Sequence, residues 1–170
     1  MNKPIRKAVR CYLIKNNNVV ATKYKQGNKE GYYDIPGGKI EEGELPEQTA
    51  IREMKEETGL DVKDLTYKGN MIIEYPNRIF DFDVFLASDS EGESQEFEEN
   101  TSEWIETQEI LKKEKILSNI IVLDRFFIKG LIDDNYNFKM HIDVDEQENI
   151  LAVKYSLEGN INESDSRLYN

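Results

Sequence analysis

The chain has 170 residues, of which 33% are charged and 38% hydrophobic, and its formal net charge is -12. This length suits one domain with a proper core and is short for two. The negative charge repels the phosphates of nucleic acid at long range, which argues against extended nucleic acid as a partner. The single cysteine, Cys11, excludes an internal disulfide and suits a reducing compartment.

Targeting signals are not evident in the sequence. No apolar run approaches the roughly 18 residues of a membrane-spanning helix, and the first residues lack the apolar core of a signal peptide. We therefore predict a cytoplasmic protein without a membrane partner. The sequence leaves open whether it is a monomer or a homodimer.

The first third of the chain predicts a hairpin, a short strand and a helix. The segments KAVRCYLIK and NNNVVATKYK meet at an Asn-rich turn, and Asn tolerates the positive φ that tight hairpins need. A short strand is expected around Tyr32 to Ile35. The helix is expected from Leu45 to Thr58, with Pro46 in its first turn and Gly59 as its C-cap.

The middle of the chain predicts two paired strands, a loop, another strand and two helices. LTYKGNMIIEYP and RIFDFDVFLAS are rich in β-branched and aromatic residues and flank a turn around YPNR. DSEGESQEFEEN indicates an acidic loop, and SEWIE a short strand. The following segment predicts a short helix and then a longer amphipathic one, with apolar residues at helical spacing: Ile120, Leu123, Phe127 and Leu131.

A late hairpin follows, with its turn from Asp145 to Asn149. The single histidine, His141, lies in this hairpin and is interpreted as an ordinary strand residue. The order of elements predicts an α/β fold with a mixed sheet and helices packed on its faces. We expect one domain over residues 1–158, followed by a tail, 159–170, with the polar composition of a disordered segment.

The predicted helix carries three glutamates on one side. Glu53, Glu56 and Glu57 fall on an arc about 100° wide. Like charges at this spacing each cost a helix roughly 0.2–0.5 kcal/mol, and a divalent cation would remove that cost. Mg²⁺ prefers such oxygen ligands together with substrate phosphates. The alternative is a solvated acidic face, which is common in acidic chains.

Residues around this arc fit the same interpretation. Gly37 and Gly38 lack Cβ atoms, so that backbone can approach a metal or a phosphate closely. Arg52 lies at the edge of the arc, one turn before Glu56, where it can orient a carboxylate through a charge-assisted fork. The neighbouring arc is apolar and is expected to pack against the sheet: Ala50, Ile51 and Met54.

The spacing of these residues resembles the Nudix box. Gly38 is followed after five residues by Glu44, and after seven more by REMKEETGL, which matches every specified position of that motif. The chain is therefore similar to Nudix hydrolases, and the resemblance implies a Nudix-type α/β/α sandwich. Members of that family hydrolyse a nucleoside diphosphate linked to another group, using Mg²⁺ or Mn²⁺.

The resemblance also implies roles for particular residues. It assigns catalysis to the box residues Arg52, Glu53, Glu56 and Glu57, with the three glutamates and the Gly38 carbonyl as metal ligands. The general base would be one of these glutamates or a carboxylate from a later loop. Glu98, or its neighbour Glu99, matches an additional acidic ligand of some members, although solvation is the alternative for either residue.

The lead-in DIPGGKIEEGE resembles the MutT branch of the family, except that Ile35 replaces the usual aromatic and weakens the case for purine stacking. The late hairpin resembles an extension of the mammalian relatives, but their acidic pair of base-reading residues is replaced by Ser118 and Asn119. The residues expected to bind substrate are Lys23, Asp34, Gly37, Lys39 and Asn119. A surface lysine and a capping or solvated asparagine are the alternatives for the first and last.

The predicted function is Mg²⁺-dependent hydrolysis of an oxidised or ordinary purine nucleoside triphosphate to the monophosphate and pyrophosphate. The partner is a small nucleotide. Another Nudix specificity is the close alternative, with ADP-ribose, a dinucleoside polyphosphate or capped RNA as substrate. A non-catalytic module that senses a nucleotide is the alternative from a different class.

Overall fold

The computed structural model describes residues 2–159, and these form an eight-stranded mixed sheet. Its order is β3-β2-β1-β5-β4-β7-β8, and β6 pairs with β2. The β1–β5 and β4–β7 pairs are parallel and the other pairs antiparallel. The strands are β1 (Ile5–Lys15), β2 (Asn18–Tyr24), β3 (Tyr33–Asp34), β4 (Asp61–Glu74), β5 (Ile79–Glu91), β6 (Asn100–Glu106), β7 (Tyr136–Val144) and β8 (Ile150–Gly159).

Helices cover both faces of this sheet. They are α1 (Pro46–Thr58), α2 (Thr107–Ile110) and α3 (Ile128–Ile132), with 3-10 helices at Gly27–Lys29 and Ser118–Leu123. α1 shares one apolar core with the sheet through Ala50 and Met54. The second core lies on the opposite face and contains Ile110, Ile120 and Leu131. The predicted α/β fold with a mixed sheet between helices is confirmed.

The early local predictions are confirmed. Asn16 and Asn17 have φ values of 50° and 61°, so the Asn-rich turn joins β1 to β2 as expected. α1 ends at Gly59, whose φ of 79° gives a left-handed C-cap. The prediction that Ile51 packs against the sheet is wrong, because α1 meets the sheet along the narrow line of Ala50 and Met54. Ile51 lies one step around the helix and is 44% exposed.

The longer amphipathic helix predicted through residues 120–131 is also wrong. The 3-10 helix ends at Leu123, and Asp124 has an extended backbone with ψ of 142°. Asp124 Oδ1 accepts a hydrogen bond from Phe126 N at 2.9 Å, an arrangement that competes with helix continuation. A separate α3 then starts at Ile128. The buried apolar residues were identified from their spacing, but a local side-chain bond divides the segment.

The late hairpin is confirmed, with Asp145 N donating to Asn149 O at 3.0 Å across its turn. His141 lies in β7 as predicted. The predicted domain reaches residue 158, and its predicted tail from residue 160 onward lies outside the described residues. Within residues 2–159, no helix has the length and apolar character needed to cross a membrane.

A close approach between β4 and β7 generates a stability prediction. Gly69 has φ of +138°, and a Cβ placed on it would lie 1.9 Å from Phe138 O. We expect Gly69→Ala to lower the free energy of unfolding by about 2–4 kcal/mol, because backbone must separate and the conformation is strained. Urea denaturation monitored by circular dichroism measures this loss.

The matched control is Gly43→Ala. Gly43 also has positive φ, +84°, but a Cβ there would have nothing within 4 Å. Only backbone strain remains, and the expected loss is about 1 kcal/mol. Equal losses in the two variants would contradict the role assigned to the β4–β7 approach.

Candidate active site

The guanidinium of Arg52 on α1 holds the loop before the helix. Arg52 Nε donates to Glu44 Oε1 at 2.7 Å and Arg52 Nη2 donates to Glu44 Oε2 at 3.0 Å. Thr49 Oγ1 adds a bond of 2.8 Å to the same carboxylate. These hydrogen bonds lower the pKa of Glu44 to about 2, and the bond from Arg52 has the largest effect. Glu44 is therefore a permanently ionised partner that fixes the arginine.

The same guanidinium reaches the glutamate arc. Arg52 Nη1 donates to Glu53 Oε1 at 2.8 Å and to Glu56 Oε2 at 3.1 Å. Arg52 Nη2 also lies 3.4 Å from the carbonyl oxygen of Lys39. One cation thus offsets the repulsion between two carboxylates and sets their orientation.

The glycine segment runs beside β1 and lies directly against the helix. Val9 N donates to Gly38 O at 2.9 Å, which leaves the second lone pair of that carbonyl oxygen free. A Cβ on Gly37 would lie 2.1 Å from Val9 O, and a Cβ on Gly38 would lie 2.3 Å from Glu53 Oε1. The β1 backbone excludes a side chain at position 37, whereas a side chain at position 38 would displace the Glu53 carboxylate.

Glu57 points toward the glycine segment and is largely buried. Gly37 N donates to Glu57 Oε1 at 3.2 Å. Burial raises the pKa of Glu57 to about 8, while the positive charge of Arg10 acts in the opposite direction. Such a carboxylate is costly to ionise unless a cation lies nearby.

These groups fit a hard divalent cation. Carboxylate and carbonyl oxygens are the donors that Mg²⁺ and Mn²⁺ prefer. The Glu53 carboxylate lies against Gly38, and the partly buried Glu57 carboxylate gains from a neighbouring positive charge. The assignment of Gly38, Glu53, Glu56 and Glu57 as metal ligands stays a prediction.

A second group of ligand-type side chains lies at the carboxyl ends of β4 and β7. Among residues 2–159, Glu74, His141 and Asp143 place ligand atoms within 4.8 Å of one another. His141 Nε2 is 3.0 Å from Glu74 Oε2 and 3.3 Å from Asp143 Oδ1. Lys3 Nζ lies 2.6 Å from Glu74 Oε1, and this bond lowers the pKa of Glu74. The Lys3–Glu74 pair and the contacts of His141 with the two carboxylates hold this group together without an ion.

Asp34 is the centre of a buried polar network next to the glycine segment. Its Oδ1 accepts from Asn119 Nδ2 at 2.7 Å and from Ile35 N at 2.7 Å. Its Oδ2 accepts from Tyr24 hydroxyl at 3.0 Å and lies 3.4 Å from Arg10 Nη2. The structure therefore brings together two residues that the sequence predicted as substrate ligands, Asp34 and Asn119.

Asn119 differs from its predicted setting. It lies in the 3-10 helix Ser118–Leu123 rather than at the start of a longer helix, and it is buried. Its backbone carbonyl oxygen accepts a hydrogen bond from the Tyr12 hydroxyl at 2.8 Å. Its side-chain Oδ1 is buried without a hydrogen-bond partner. The amide is thus held in place with one acceptor unused.

Lys23 is paired with Tyr33 across β2 and β3, next to Asp34, while Glu98 and Glu99 precede β6. Lys23 Nζ lies 5.4 Å from the centroid of the Tyr33 ring. Glu98 is exposed. Glu99 lines a cavity of about 430 Å³ together with Tyr24, Gln26 and Gly27. The assignment of Glu98 or Glu99 as a metal ligand stays a prediction.

Arg10 was missed in the sequence. It lies in β1, its side chain is 14% exposed, and its guanidinium lies 4.6 Å from the centroid of the Phe82 ring. Burial alone would lower the pKa of Arg10, but the carboxylates of Asp34 and Glu57 outweigh that effect and raise it. The sequence contained a signal for it, because Arg10 lies between Ala8 and Tyr12 on the same, apolar face of the predicted strand and is the charged residue on that face.

Comparison with known proteins identifies the family of the chain. The model of the NUDIX domain matches residues 4–126, and the chain therefore belongs to the Nudix family of hydrolases. It is a Nudix pyrophosphohydrolase, as the box predicted. It is 35% identical over 80 residues to the 8-oxo-dGTP diphosphatase of Proteus vulgaris, a match covering 46% of this chain and 71% of that protein.

Two further proteins are similar to this chain, one in sequence and one in fold. The 8-oxo-dGTP diphosphatase of Escherichia coli K12 is 31% identical over 104 residues, which cover 61% of this chain and 81% of that protein. The crystal structure of the MutT protein from Bacillus halodurans superposes with a TM-score of 0.70. That match has 23% identity and covers 90% of this chain and 97% of the other, so it shows a shared fold.

The pKa of Glu57 predicts a pH dependence of stability in metal-free protein. The folded-state pKa, about 8, exceeds the ordinary value of 4.5, so the folded protein retains a proton that the unfolded chain releases. Stability falls as pH rises between these values, by at most about 1.4 kcal/mol per unit. We expect Glu57→Gln to remove this fall, because glutamine does not titrate. Its side-chain oxygen can still accept a hydrogen bond from Gly37 N.

Urea midpoints at pH 5, 6.5 and 8.5 in EDTA would measure the effect. The matched control is Glu47→Gln, which alters an exposed glutamate in the first turn of α1 and should retain the wild-type slope. A wild-type slope in Glu57→Gln would show that Glu57 is not the group responsible.

Proposed function

We propose that this protein hydrolyses an oxidised purine nucleoside triphosphate, of the 8-oxo-dGTP type, to the monophosphate and pyrophosphate with Mg²⁺ or Mn²⁺. The observation that carries the proposal is the adjacency of two groups. The glutamate arc on α1 contacts the glycine segment, and Asp34 of the buried Asp34–Asn119 pair lies three residues before Gly37. A triphosphate and a base can occupy neighbouring sites in this arrangement.

The chain supplies positioning and charge for this reaction. Arg52 holds Glu53 and Glu56, while Glu44 holds Arg52. One of the three box glutamates, or a carboxylate from the 92–99 loop, serves as the general base that accepts a proton from water. No covalent protein nucleophile is required.

A divalent cation held by Gly38, Glu53, Glu56 and Glu57 would shield the charge of the phosphates and lower the pKa of water. We place it here rather than at Glu74, His141 and Asp143 because only the residues on and before α1 belong to the Nudix box. Lys23 and Lys39 are proposed to meet phosphate, and Gly37 to give it access to the backbone.

Base recognition is assigned to Asp34 and Asn119. Ile35 is fully buried in the core, so it does not offer a stacking surface in place of the usual aromatic. The proposal therefore relies on polar recognition of the base rather than on stacking at that position. The names of the Proteus vulgaris and Escherichia coli relatives support an oxidised guanine nucleotide as substrate. A cytoplasmic location is retained as part of the proposal.

A substrate panel tests this function. Full-length protein would be incubated with 8-oxo-dGTP, the four dNTPs, ADP-ribose and dinucleoside polyphosphates, each with Mg²⁺, Mn²⁺ or EDTA. We expect 8-oxo-dGTP to give the highest kcat/KM, with 8-oxo-dGMP and pyrophosphate as products and no turnover in EDTA. Preference for another compound would assign a different Nudix specificity. Absence of metal-dependent turnover with every compound would favour a non-catalytic sensing module.

The glutamate arc gives a mutational prediction. Glu56→Gln should lower kcat by about 100-fold or more, because it removes a charge proposed to hold the cation. Glu56 is 58% exposed in its side chain, so the fold should survive, which circular dichroism and a thermal melt would verify. Glu47→Gln is the control and should keep wild-type kcat. Wild-type kcat in Glu56→Gln would remove Glu56 from the mechanism.

A further inference from the structure

Arg10 lies between the two parts of the candidate site. Gly37 packs against its backbone, since a Cβ on that glycine would be 3.0 Å from Arg10 Cα. Its guanidinium is attracted by Glu57 on the glutamate side and by Asp34 on the base side. A nucleotide that spans both parts must pass this side chain.

Most of the hydrogen-bonding capacity of Arg10 is unused. A guanidinium has five N–H donors, and in this structure one long bond of 3.4 Å joins Arg10 Nη2 to Asp34. Arg10 Nε is buried without a partner. Asp34 is meanwhile supplied by Tyr24, Asn119 and Ile35 N, so its carboxylate does not depend on Arg10. The arginine is therefore available to another acceptor.

The adjacent side chain of Asn119 offers the opposite polarity. Its amide nitrogen must face Asp34, because the carboxylate can only accept. That contact fixes the orientation of the amide and leaves Oδ1 as a buried acceptor without a partner. The network thus presents an unused donor, Arg10 Nε, and an unused acceptor, Asn119 Oδ1, on two side chains that each hydrogen-bond to Asp34.

Unpartnered buried atoms concentrate at this place. Among residues 2–159, two buried side-chain atoms of this network lack a hydrogen-bond partner: Arg10 Nε and Asn119 Oδ1. Buried polar groups are normally paired, and each exception costs stability. A ligand that completes these bonds accounts for their grouping.

We propose that Arg10 is a specificity-determining residue that, with Asn119, reads the –CO–NH– edge of a nucleotide base. A base carbonyl accepts from the Arg10 guanidinium, and the neighbouring ring N–H donates to Asn119 Oδ1. Both protein atoms are closed to solvent in the structure, so docking of a base requires the Arg10 side chain to move over Phe82.

This edge defines a class of bases. Guanine offers O6 beside N1–H, and 8-oxoguanine also offers O6 and O8 on either side of N7–H. Adenine and cytosine offer an amino group beside a ring nitrogen, which is a weaker acceptor for a charged guanidinium. The inference rests on the proposed function, because it identifies the base feature that the same site selects.

Steady-state kinetics of Arg10→Met tests the inference. Wild type and variant would be compared on 8-oxo-dGTP and dGTP, which carry the edge, and on dATP and dCTP, which do not. We expect KM for the first pair to rise about 10- to 100-fold, the factor that corresponds to a charge-assisted hydrogen bond, with kcat nearly unchanged. KM for the second pair should change by less than about threefold.

Lys7→Met is the matched control, because it removes a positive charge from an exposed position on the other face of the same strand. It should leave all four KM values unchanged. An equal rise of KM for all four nucleotides with Arg10→Met would assign Arg10 to phosphate or sugar and overturn base reading. Unchanged values would remove Arg10 from recognition.

Two further measurements separate other causes of failure. Arg10→Lys keeps a charge beside Asp34 and should melt like wild type, yet lose selectivity because it lacks the planar fork. Retained selectivity in that variant would contradict the inference. If wild type hydrolyses none of the nucleotides, calorimetric binding of 8-oxo-dGMP and dAMP in EDTA still tests Arg10. Equal affinities of wild type and Arg10→Met for 8-oxo-dGMP would then overturn it.

Discussion

The Arg52 guanidinium is the interaction on which the candidate site depends. α1 places carboxylates on one arc, where they would repel one another and splay into solvent. Arg52 bonds to two of them and is itself fixed by a two-bond fork to Glu44 in the preceding loop. The lowered pKa of Glu44 keeps it ionised at neutral pH. These bonds therefore join the helix and the preceding loop into one unit.

A steric constraint joins that unit to the sheet. Gly37 brings its backbone so close to β1 that a side chain would collide with Val9, and Gly38 lies directly against the Glu53 carboxylate. Asp34 and its buried network lie three residues before Gly37 in the chain. Two kinds of chemistry, charge shielding and polar recognition, are thus separated by only a few residues of backbone. Arg10 occupies the boundary between them.

The sequence predicted correctly those elements whose structure depends on only a few neighbouring residues. The Asn turn, the C-cap at Gly59 and the late hairpin follow from backbone preferences of a few residues. The prediction of one long helix through residues 120–131 was wrong because apolar spacing does not reveal the side-chain bond by which Asp124 ends the 3-10 helix. Ile51 was misplaced for a related reason: periodicity gives a face of the helix, but the sheet decides how much of that face is covered.

The sequence by itself determined the spacing that places Arg52 and the glutamates on one side of α1, because helical geometry converts spacing directly into position. It also determined the family, since every specified position of the box is matched. Only the tertiary structure decided that Asp34 bonds to Asn119, 85 residues away, and lies beside Arg10 from another strand. Such contacts depend on how strands and helices pack, and no periodicity along the chain records which distant residues will meet.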